Sequence, residues 1–261
     1  MGKFYPLFSS SSANASYIGG RSEGILVDAG ASCKKLLTAL SDNGIDARSV
    51  RGIFITHTHS DHIKGLRVLS GRLKVPVYAT ATTLEVLAHD GQVAPDVPLI
   101  PIDTGAMDCG GCEITAFPTM HDAPGSCGYR IRTGDDKLCA VCTDLGLVTD
   151  VVRRALDGCD MVLLEANYEP DMLWQGPYPL SLKRRITSEY GHLSNQESAG
   201  LAAELVKRGT TRLLLGHLSP HNNTPGLAAD AAAKGLSAFT QGLDYLLGIA
   251  PVETQGGAVM F

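Results

Sequence analysis

Residues 51–65 read Arg-Gly-Ile-Phe-Ile-Thr-His-Thr-His-Ser-Asp-His-Ile-Lys-Gly, an apolar run followed by a dense group of polar side chains. The apolar, β-branched run from Gly52 to Thr56 predicts a buried strand. The metal-capable side chains that follow it are His57, His59, Asp61 and His62. Imidazole and carboxylate are ligands of Zn²⁺, Mn²⁺ and Fe²⁺. We therefore expect a metal centre at the end of this strand.

The spacing inside this group indicates two pairs of ligands. His57 and His59 lie two residues apart, so an extended backbone directs both imidazoles to one side. Asp61 and His62 stand where a helical spacing of apolar residues begins, and they offer a second pair to a second ion. The alternative is a polar loop with hydrogen-bonded histidines. That alternative does not explain why the histidines cluster at ligand spacing beside an acid.

The motif His57-x-His59-x-Asp61-His62 resembles the H-x-H-x-D-H signature of the metallo-β-lactamase superfamily. Within that superfamily the chain is similar to the YycJ/WalJ-like metallohydrolases, which resemble ribonuclease Z in their later motifs. The resemblance covers almost the whole chain. It implies an α/β fold, the four-layer αβ/βα sandwich of the metallo-β-lactamase type, with residues 1–261 as a single hydrolase domain. Composition alone indicates only an α/β protein.

The composition narrows the class of protein. A hydrophobic fraction of 44% with 29 Gly and 13 Pro is typical of a loop-rich globular protein. The net charge of −5 gives no general attraction to nucleic acid, so any such binding needs a local patch. No apolar run approaches the ~20 residues of a membrane helix, and the apolar residues 4–8 are too few for a signal peptide. We expect a cytoplasmic protein without membrane association.

The cysteines do not indicate a disulfide framework, because there are seven of them, an odd number. Two C-x-x-C pairs raise the alternative of a structural zinc site. Cys139 and Cys142 lie in an apparent strand, where residues three apart face opposite sides. Cys109 and Cys112 flank Gly-Gly, which predicts a hairpin turn. We favour free thiols, and any other role of these pairs stays open.

Apolar runs that end in an ionisable residue recur along the chain. The residues at their ends are Asp28, His57, His121, Asp144, Glu165 and His217. One such run would carry little weight, because strands often end in polar residues. Together they fit a layered α/β fold whose site lies along one edge of its sheets.

The superfamily resemblance implies a set of metal ligands at these positions. The first ion would be bound by His57, His59 and His121. The second would be bound by Asp61, His62 and His217. Asp144 would bridge the two ions, and Asp28 would support the ligand loop without binding metal. The expected cofactors are two divalent ions per chain, Zn²⁺ or Mn²⁺, and Asp61 would also orient or deprotonate the attacking water.

Two of these positions separate branches of the superfamily. His59 stands where flavodiiron oxidoreductases have Glu, which disfavours an oxygen-reducing role. Asp144 stands where true β-lactamases commonly have Cys. An aspartate here fits the phosphodiesterase and thioesterase branches.

Two later motifs resemble those of ribonuclease Z. Leu164-Glu165-Ala166-Asn167 is similar to its His-Glu-Ala-Thr box, and Gly191-His192-Leu-Ser to its His-Ser-Thr motif. The resemblance implies that Glu165 and His192 form a catalytic pair that gives a proton to the leaving oxygen. Leu164 replaces the histidine of that box, and the long tRNA-clamping arm is absent. Both differences disfavour tRNA processing.

Substrate contacts are expected at three segments. Ser10 and Asn14 belong to a Ser/Asn-bearing loop that reaches the site in the resembled family. The segment from Trp174 to Arg185 matches a loop of the YycJ/WalJ-like group, and its aromatic and basic residues suit a single nucleic-acid strand. The expected contacts there are Lys183 and Arg185. Asn222 follows the ligand His217 at the rim. For the Ser/Asn-bearing loop the alternative is a plain hairpin loop. For the basic residues near Arg185 the alternative is a solvated charged face.

These features predict a dinuclear metallohydrolase that cleaves phosphodiesters, and the resemblance implies a DNA exonuclease acting on a strand end. The alternative is a hydrolase of small thioesters or cyclic nucleotides. A catalytically silent scaffold subunit would have lost ligands, whereas this chain keeps the complete set. Protein partners, the metal and the choice between DNA and RNA stay open.

Overall fold

The computed structural model describes residues 2–102 and 105–261, in which the strands form two seven-stranded sheets. The first sheet contains β1 (Lys3–Ser10), β2 (Ala13–Gly19), β3 (Gly24–Val27), β4 (Val50–Phe54), β5 (Val77–Ala79) and β6 (Leu99–Pro101). The second contains β7 (Met107–Cys109), β8 (Cys112–Pro118), β9 (Cys127–Thr133), β10 (Leu138–Cys142), β11 (Met161–Glu165), β12 (Arg212–Gly216) and β13 (Leu246–Ile249). The last strand, β14 (Val259–Met260), returns to the first sheet beside β1.

Helices follow most of the inner strands. They are α1 (Cys33–Asp42), α2 (Ser60–Ile63), α3 (Leu66–Leu73), α4 (Ala81–His89), α5 (Asp150–Leu156), α6 (Pro170–Gln175), α7 (Leu180–Ile186), α8 (Asn195–Lys207) and α9 (Pro225–Gly235), with a 3-10 turn at Ala47–Ser49. In residues 2–102 and 105–261, no helix is both long enough and apolar enough to cross a membrane.

Three apolar layers hold the sheets and helices together. Strand β11 shows why, because its side chains alternate between two faces. Met161 and Leu163 pack between the two sheets, while Val162 and Leu164 face the helices outside the second sheet. In the first sheet, Phe54 faces inward and Ile53 faces the helices on the other side. The predicted four-layer αβ/βα sandwich is confirmed.

Side-chain hydrogen bonds cap the starts of several helices. Ser32 caps α1 by accepting a hydrogen bond from the backbone N–H of Lys35. Ser194 and Glu197 form a capping box at the start of α8. Such caps satisfy N–H groups that the helix itself leaves unpaired. They fix where each helix begins relative to the preceding strand.

The cysteines lie as the sequence predicts. Cys139 packs between the sheets, whereas Cys142 faces the helices of the second sheet, so their thiols point in opposite directions. Cys109 and Cys112 are directly paired across the β7–β8 hairpin. The turn between them needs two residues with positive φ, and Gly110 and Gly111 supply φ values of 57° and 72°. None of the seven cysteines, all of which lie in the described residues, forms a disulfide.

The segment from Trp174 to Arg185 differs from the prediction. The resemblance implies a loop there, but most of the segment lies in the short helices α6 and α7. Leu173 of α6 and Ile186 of α7 are buried together in a small apolar cluster with Tyr168. The expectation of a loop is wrong because apolar residues of both helices pack together in this cluster, a contact between separate elements.

Candidate metal centre

The ends of strands from both sheets meet at one edge of the sandwich. Asp28 directly follows β3, Asp144 lies just beyond β10, and His217 directly follows β12. These three residues have φ values of 64°, 60° and 55° respectively. Such left-handed conformations are uncommon for residues other than glycine, and they occur at sharp turns. The chain therefore turns sharply here and directs polar side chains to one place.

The first ligand group contains the three histidines His57, His59 and His121. Their potential ligand atoms all lie within 4.8 Å of one another. His57 Nδ1 is 3.0 Å from Thr56 Oγ1. His121 Nδ1 donates to the backbone oxygen of Gly191 at 3.0 Å, which leaves its Nε2 3.2 Å from His59 Nδ1. Each outer contact fixes which ring nitrogen faces the centre.

The second ligand group contains Asp61, His62 and His217, again within 4.8 Å. His62 Nδ1 donates to Asp28 Oδ2 at 2.8 Å. His217 Nδ1 donates to Glu165 Oε1 at 2.8 Å. The Nε2 atoms of both rings lie 3.4 Å from Asp61 Oδ2. Both imidazoles are thus held by a carboxylate behind them, as metal-ligating histidines usually are.

Asp144 lies between the two groups and is only 2% exposed. Its Oδ2 is 3.3 Å from His62 Nε2 in the second group. Its Oδ1 is 3.7 Å from His121 Nε2 in the first group. One carboxylate therefore reaches both sets of ligand atoms.

Two buried polar atoms in this cluster have no hydrogen-bond partner among the described residues: His57 Nε2 and Asp144 Oδ2. An unpaired polar atom in the interior is costly, so native structures avoid it. A cation between the imidazole nitrogen and the carboxylate oxygen satisfies both. The donor set of imidazoles and carboxylates without thiolate suits zinc or manganese. The cluster fits a divalent-metal site.

The electrostatics of the cluster also favour positive charge. Burial would lower the pKa of His62, but the carboxylates of Asp144 and Asp28 raise it well above its usual range. Burial likewise opposes protonation of His217, yet Asp144, Asp61 and Glu165 raise its pKa to about 10. The carboxylates thus attract a cation at the second group, which is the charge that a divalent metal supplies.

Thr56 and Asp28 support the ligands from behind. Asp28 Oδ1 accepts the backbone N–H of Thr56 at 2.9 Å, and Thr56 Oγ1 donates to both carboxylate oxygens of Asp28. The same hydroxyl contacts His57 Nδ1, so one aspartate orients ligands of both groups. Asp28 makes the contacts expected of a supporting residue. Thr56 was not predicted, although its place directly before His57 was a signal.

Replacing Asp28 with asparagine is expected to lower metal affinity about 10–100-fold, the usual cost of losing an outer partner of a metal-bound histidine. The amide holds the His62 Nδ1 proton less strongly than a carboxylate does. Asparagine is preferred to alanine because it tolerates the positive φ of this position. Competition with a chelating dye measures the affinity. The control is Asp108→Asn, an exposed change in β7, and equal affinities in the two variants would contradict the assignment.

Glu165 connects His192 to the second ligand group. Its Oε1 accepts from His192 Nδ1 at 2.9 Å as well as from His217 Nδ1. Its Oε2 accepts the backbone N–H groups of Leu193 and Leu145. Burial would raise the pKa of Glu165, but its histidine partners lower it to about 2. Glu165 is therefore an ionised, fully paired acceptor that orients two histidines at once, and its contact with His217 was not predicted.

His192 lies beside both ligand groups. Its ring centre is 5.1 Å from that of His121 and 5.4 Å from that of His217. Its side chain is 13% exposed, in contrast to the fully buried Glu165. The ring is thus held from one side by a carboxylate and stays accessible from solvent.

Asp122 and Arg185 form the rim of the first group. Arg185 donates two hydrogen bonds to the Asp122 carboxylate, from Nη2 to Oδ1 at 3.0 Å and from Nε to Oδ2. Asp122 Oδ1 lies 3.5 Å from His59 Nε2. The structure therefore brings the expected substrate residue Arg185 close to the centre. Asp122 was missed, although it directly follows the ligand candidate His121.

Lys183 does not lie where a phosphate contact is expected. Its ammonium donates to the backbone oxygens of Trp174 and Gly176, at 2.7 and 2.8 Å, and the residue is only 9% exposed. These carbonyls end helix α6, so the lysine stabilises a helix C-terminus. The next residue, Arg184, is exposed instead. Helix α7 turns its residues in different directions, which a run of basic residues in the sequence does not reveal.

The other expected substrate residues differ in how close they lie to the ligands. Asn14 Nδ2 lies 3.2 Å from Asp61 Oδ2 and 3.0 Å from His62 Nε2, so it touches the second ligand group. Ser10 is the last residue of β1, and its hydroxyl accepts the backbone N–H of Ser12. Asn222 is only 1% exposed, and its amide donates to Ser219. The structure brings Asn14 to the metal centre and places Asn222 below the surface.

Comparison with known proteins gives consistent matches. The family model described as the beta-lactamase superfamily domain matches residues 24–218, which include both ligand groups. Exodeoxyribonuclease YycJ of Bacillus anthracis is 36% identical over 226 residues, covering 86% of this chain and 85% of that protein. Exodeoxyribonuclease WalJ of Streptococcus pneumoniae is 34% identical over 229 residues, covering 87% and 85%. The solved structure of YhfI from Bacillus subtilis, a metallo-β-lactamase fold protein, matches with a TM-score of 0.71 at 19% identity, over 97% of this chain and 98% of that one.

Proposed function

The chain belongs to the metallo-β-lactamase superfamily of hydrolases, and we propose that it is a dinuclear phosphodiesterase that shortens DNA from a strand end. The observation that carries this proposal is the position of Asp144 between two ligand groups, with the Glu165–His192 pair beside them. Two relatives that match most of the chain are named exodeoxyribonucleases, which supports DNA as the substrate.

The ligand groups divide the metal binding between them in this proposal. His57, His59 and His121 would hold the first ion, Asp61, His62 and His217 would hold the second, and Asp144 would contribute to both. When bound, two divalent ions polarise the phosphoryl group and lower the pKa of a water, so that a nucleophile exists at neutral pH. The side chain of Asp61 is 20% exposed, and its carboxylate is the acceptor that orients the attacking water.

His192 serves the leaving group. The P–O bond that breaks leaves an alkoxide oxygen on one of the two products, and this oxygen needs a proton. Glu165 keeps the Nδ1 proton of His192 in place, so the ring gives the proton on Nε2 to that oxygen. Because Glu165 also holds His217, the proton donor and the second ligand group keep a fixed relative position.

The organisation of the chain and its compartment are parts of the same proposal. The two ligand groups draw on both sheets, which supports residues 1–261 acting as one hydrolase domain. Seven cysteines without a disulfide, most of them buried, support a reducing compartment such as the cytoplasm.

Elemental analysis and a substrate panel test the proposal together. Purified protein should retain close to two divalent ions per chain after dialysis. With Mn²⁺ or Zn²⁺ it should degrade end-labelled single-stranded DNA progressively, and it should cleave a chromogenic bis-phosphate ester slowly. Absence of bound metal after titration would refute the dinuclear centre. Cleavage of small thioesters or cyclic nucleotides with no action on DNA would refute the exonuclease and favour the alternative hydrolase.

Strand binding is expected to depend on the exposed arginines of α7, with Arg185 exchanging its Asp122 partner for a phosphate. Replacing Arg184 and Arg185 together with alanine should weaken binding of a single-stranded oligonucleotide. Each phosphate that the protein no longer neutralises should reduce the salt slope of binding by about 0.7. The net charge of −5 makes such local cations necessary. Fluorescence anisotropy over a salt series measures the effect.

The matched control for this prediction is Arg21→Ala. Arg21 is exposed in the β2–β3 connection, at the end of β3 opposite to Asp28. This variant should bind the strand as the unaltered protein does. Equal salt slopes for the double variant and the control would contradict the role of α7. Lys183 is left unchanged because its loss would disturb the end of α6.

A further inference from the structure

A cleft of about 290 Å³ lies beside the second ligand group, outside the metal centre itself. Its polar lining consists of Ser10, Ser12, Ser32, Lys35, Lys64 and Glu253. The volume is near the lower end of small-molecule sites, which span roughly 300–1,000 Å³. The cleft is therefore suited to a single nucleotide-sized group.

Only a thin wall separates the cleft from the ligands. Gly30 lies on this wall, and a Cβ placed there would be 1.6 Å from the backbone oxygen of Asp61. Asn14 connects the cleft to the second ligand group. Its Nδ2 donates to the backbone oxygen of Ser10, which lines the cleft, at 2.9 Å, and it also contacts Asp61. A strand whose scissile phosphate is at the metal centre thus has its next nucleotide close to this cleft.

The cleft carries one unpaired positive charge. Lys35 forms an ion pair with Glu253 at 2.9 Å, so these two charges offset each other. Lys64 is exposed at the end of α2, and its ammonium has no ionic or hydrogen-bonding partner within residues 2–102 and 105–261. No acidic residue lies in the first turn of α1, which begins at the cleft behind Ser32. A lysine with hydroxyls around it is a common way to hold a backbone phosphate.

We propose that this cleft binds the backbone phosphate adjacent to the scissile phosphodiester, with Lys64 as its cationic contact, an inference that rests on the proposed exonuclease function. The group recognised is a phosphate diester of the same strand. Lys64 then sets the position of the strand relative to the metal centre.

A cycle that combines a protein change with a substrate change tests this inference. The substrates are single-stranded oligonucleotides in which one linkage near the end is a neutral methylphosphonate, placed in turn at each position next to the cleaved bond. Lys64→Ala should lower kcat/KM on the unmodified strand about 10-fold, a modest value because the lysine is exposed. At one position the neutral linkage should lower the kcat/KM of the unaltered protein about 10-fold as well. At that position it should not lower the kcat/KM of the Lys64→Ala variant any further. Lys64→Ala should also reduce the salt slope of strand binding by about 0.7.

The control is Lys34→Ala, an exposed lysine of α1 outside the cleft, which should change neither measurement. Thermal unfolding identifies any variant that fails to fold, in which case Lys64→Gln takes its place. Additive losses at every linkage, or an unchanged kcat/KM for Lys64→Ala, would overturn the inference and leave the exonuclease proposal intact. An unaltered protein that cleaves no DNA strand would overturn both.

Discussion

Replacing Asp144 with asparagine is expected to abolish hydrolysis and to reduce bound metal at both ligand groups. Asp144 is the side chain that reaches both groups, through Oδ2 to His62 and through Oδ1 to His121. Loss of one bridging charge weakens the binding of both ions, and metal-ion catalysis contributes several kcal/mol, so we expect turnover to fall about 10³-fold or more. Asparagine keeps the shape of the residue and tolerates its positive φ.

Metal stoichiometry separates this effect from that of an ordinary ligand. His59→Ala should also abolish hydrolysis, but it removes a ligand of the first group only and should leave the second ion bound. Asp144→Asn should lower both occupancies in elemental analysis after dialysis. Asp108→Asn, exposed in β7, serves as the control and should retain metal and activity. If Asp144→Asn kept two ions per chain with normal turnover, the bridging assignment would be wrong.

Replacing His192 with alanine is expected to lower turnover on DNA by about 10²–10⁴-fold, the usual contribution of a general acid. Metal content should remain unchanged, because His192 is not one of the proposed ligands and reaches the ligand His217 only through Glu165. The loss should shrink on a bis-phosphate ester with a p-nitrophenolate leaving group, since that group needs no proton. Rate measurements on both substrates, with elemental analysis of the same samples, test these points.

The Glu165→Gln variant is compared with His192→Ala, because it weakens the hydrogen bonds to both histidines. Glu165 holds His217 as well as His192, so this variant should lose turnover and also bind metal about 10–100-fold more weakly. A loss for His192→Ala that is equal on good and poor leaving groups would mean that His192 does not give the proton. A Glu165→Gln variant with unchanged metal affinity would mean that the hydrogen bond to His217 contributes little.

Local sequence was sufficient to predict the framework of the site. The spacing of His57, His59, Asp61 and His62 is a short-range pattern, and a strand followed by a turn converts it directly into geometry. The apolar runs that end at Asp144 and His217 are likewise local, and their continuous apolar character predicts strands buried on both faces. Helix caps such as Ser194 depend only on the residues of one turn. These features need no knowledge of distant contacts.

Tertiary structure decided which polar side chains meet and which are free. Glu165 supports both His192 and His217 because β11 and β12 are neighbours in the sheet, although these two histidines are 25 positions apart in the chain. Lys183 turns inward and Arg184 outward because the packing of α6 against α7 fixes the rotation of a short helix. Lys64 has no partner in the part of the chain that the structure describes, although Lys35, on the same cleft, is paired with Glu253 from the other end of the chain. Such outcomes depend on the direction of each side chain and on long-range packing, and neither is written in the spacing of residues along the sequence.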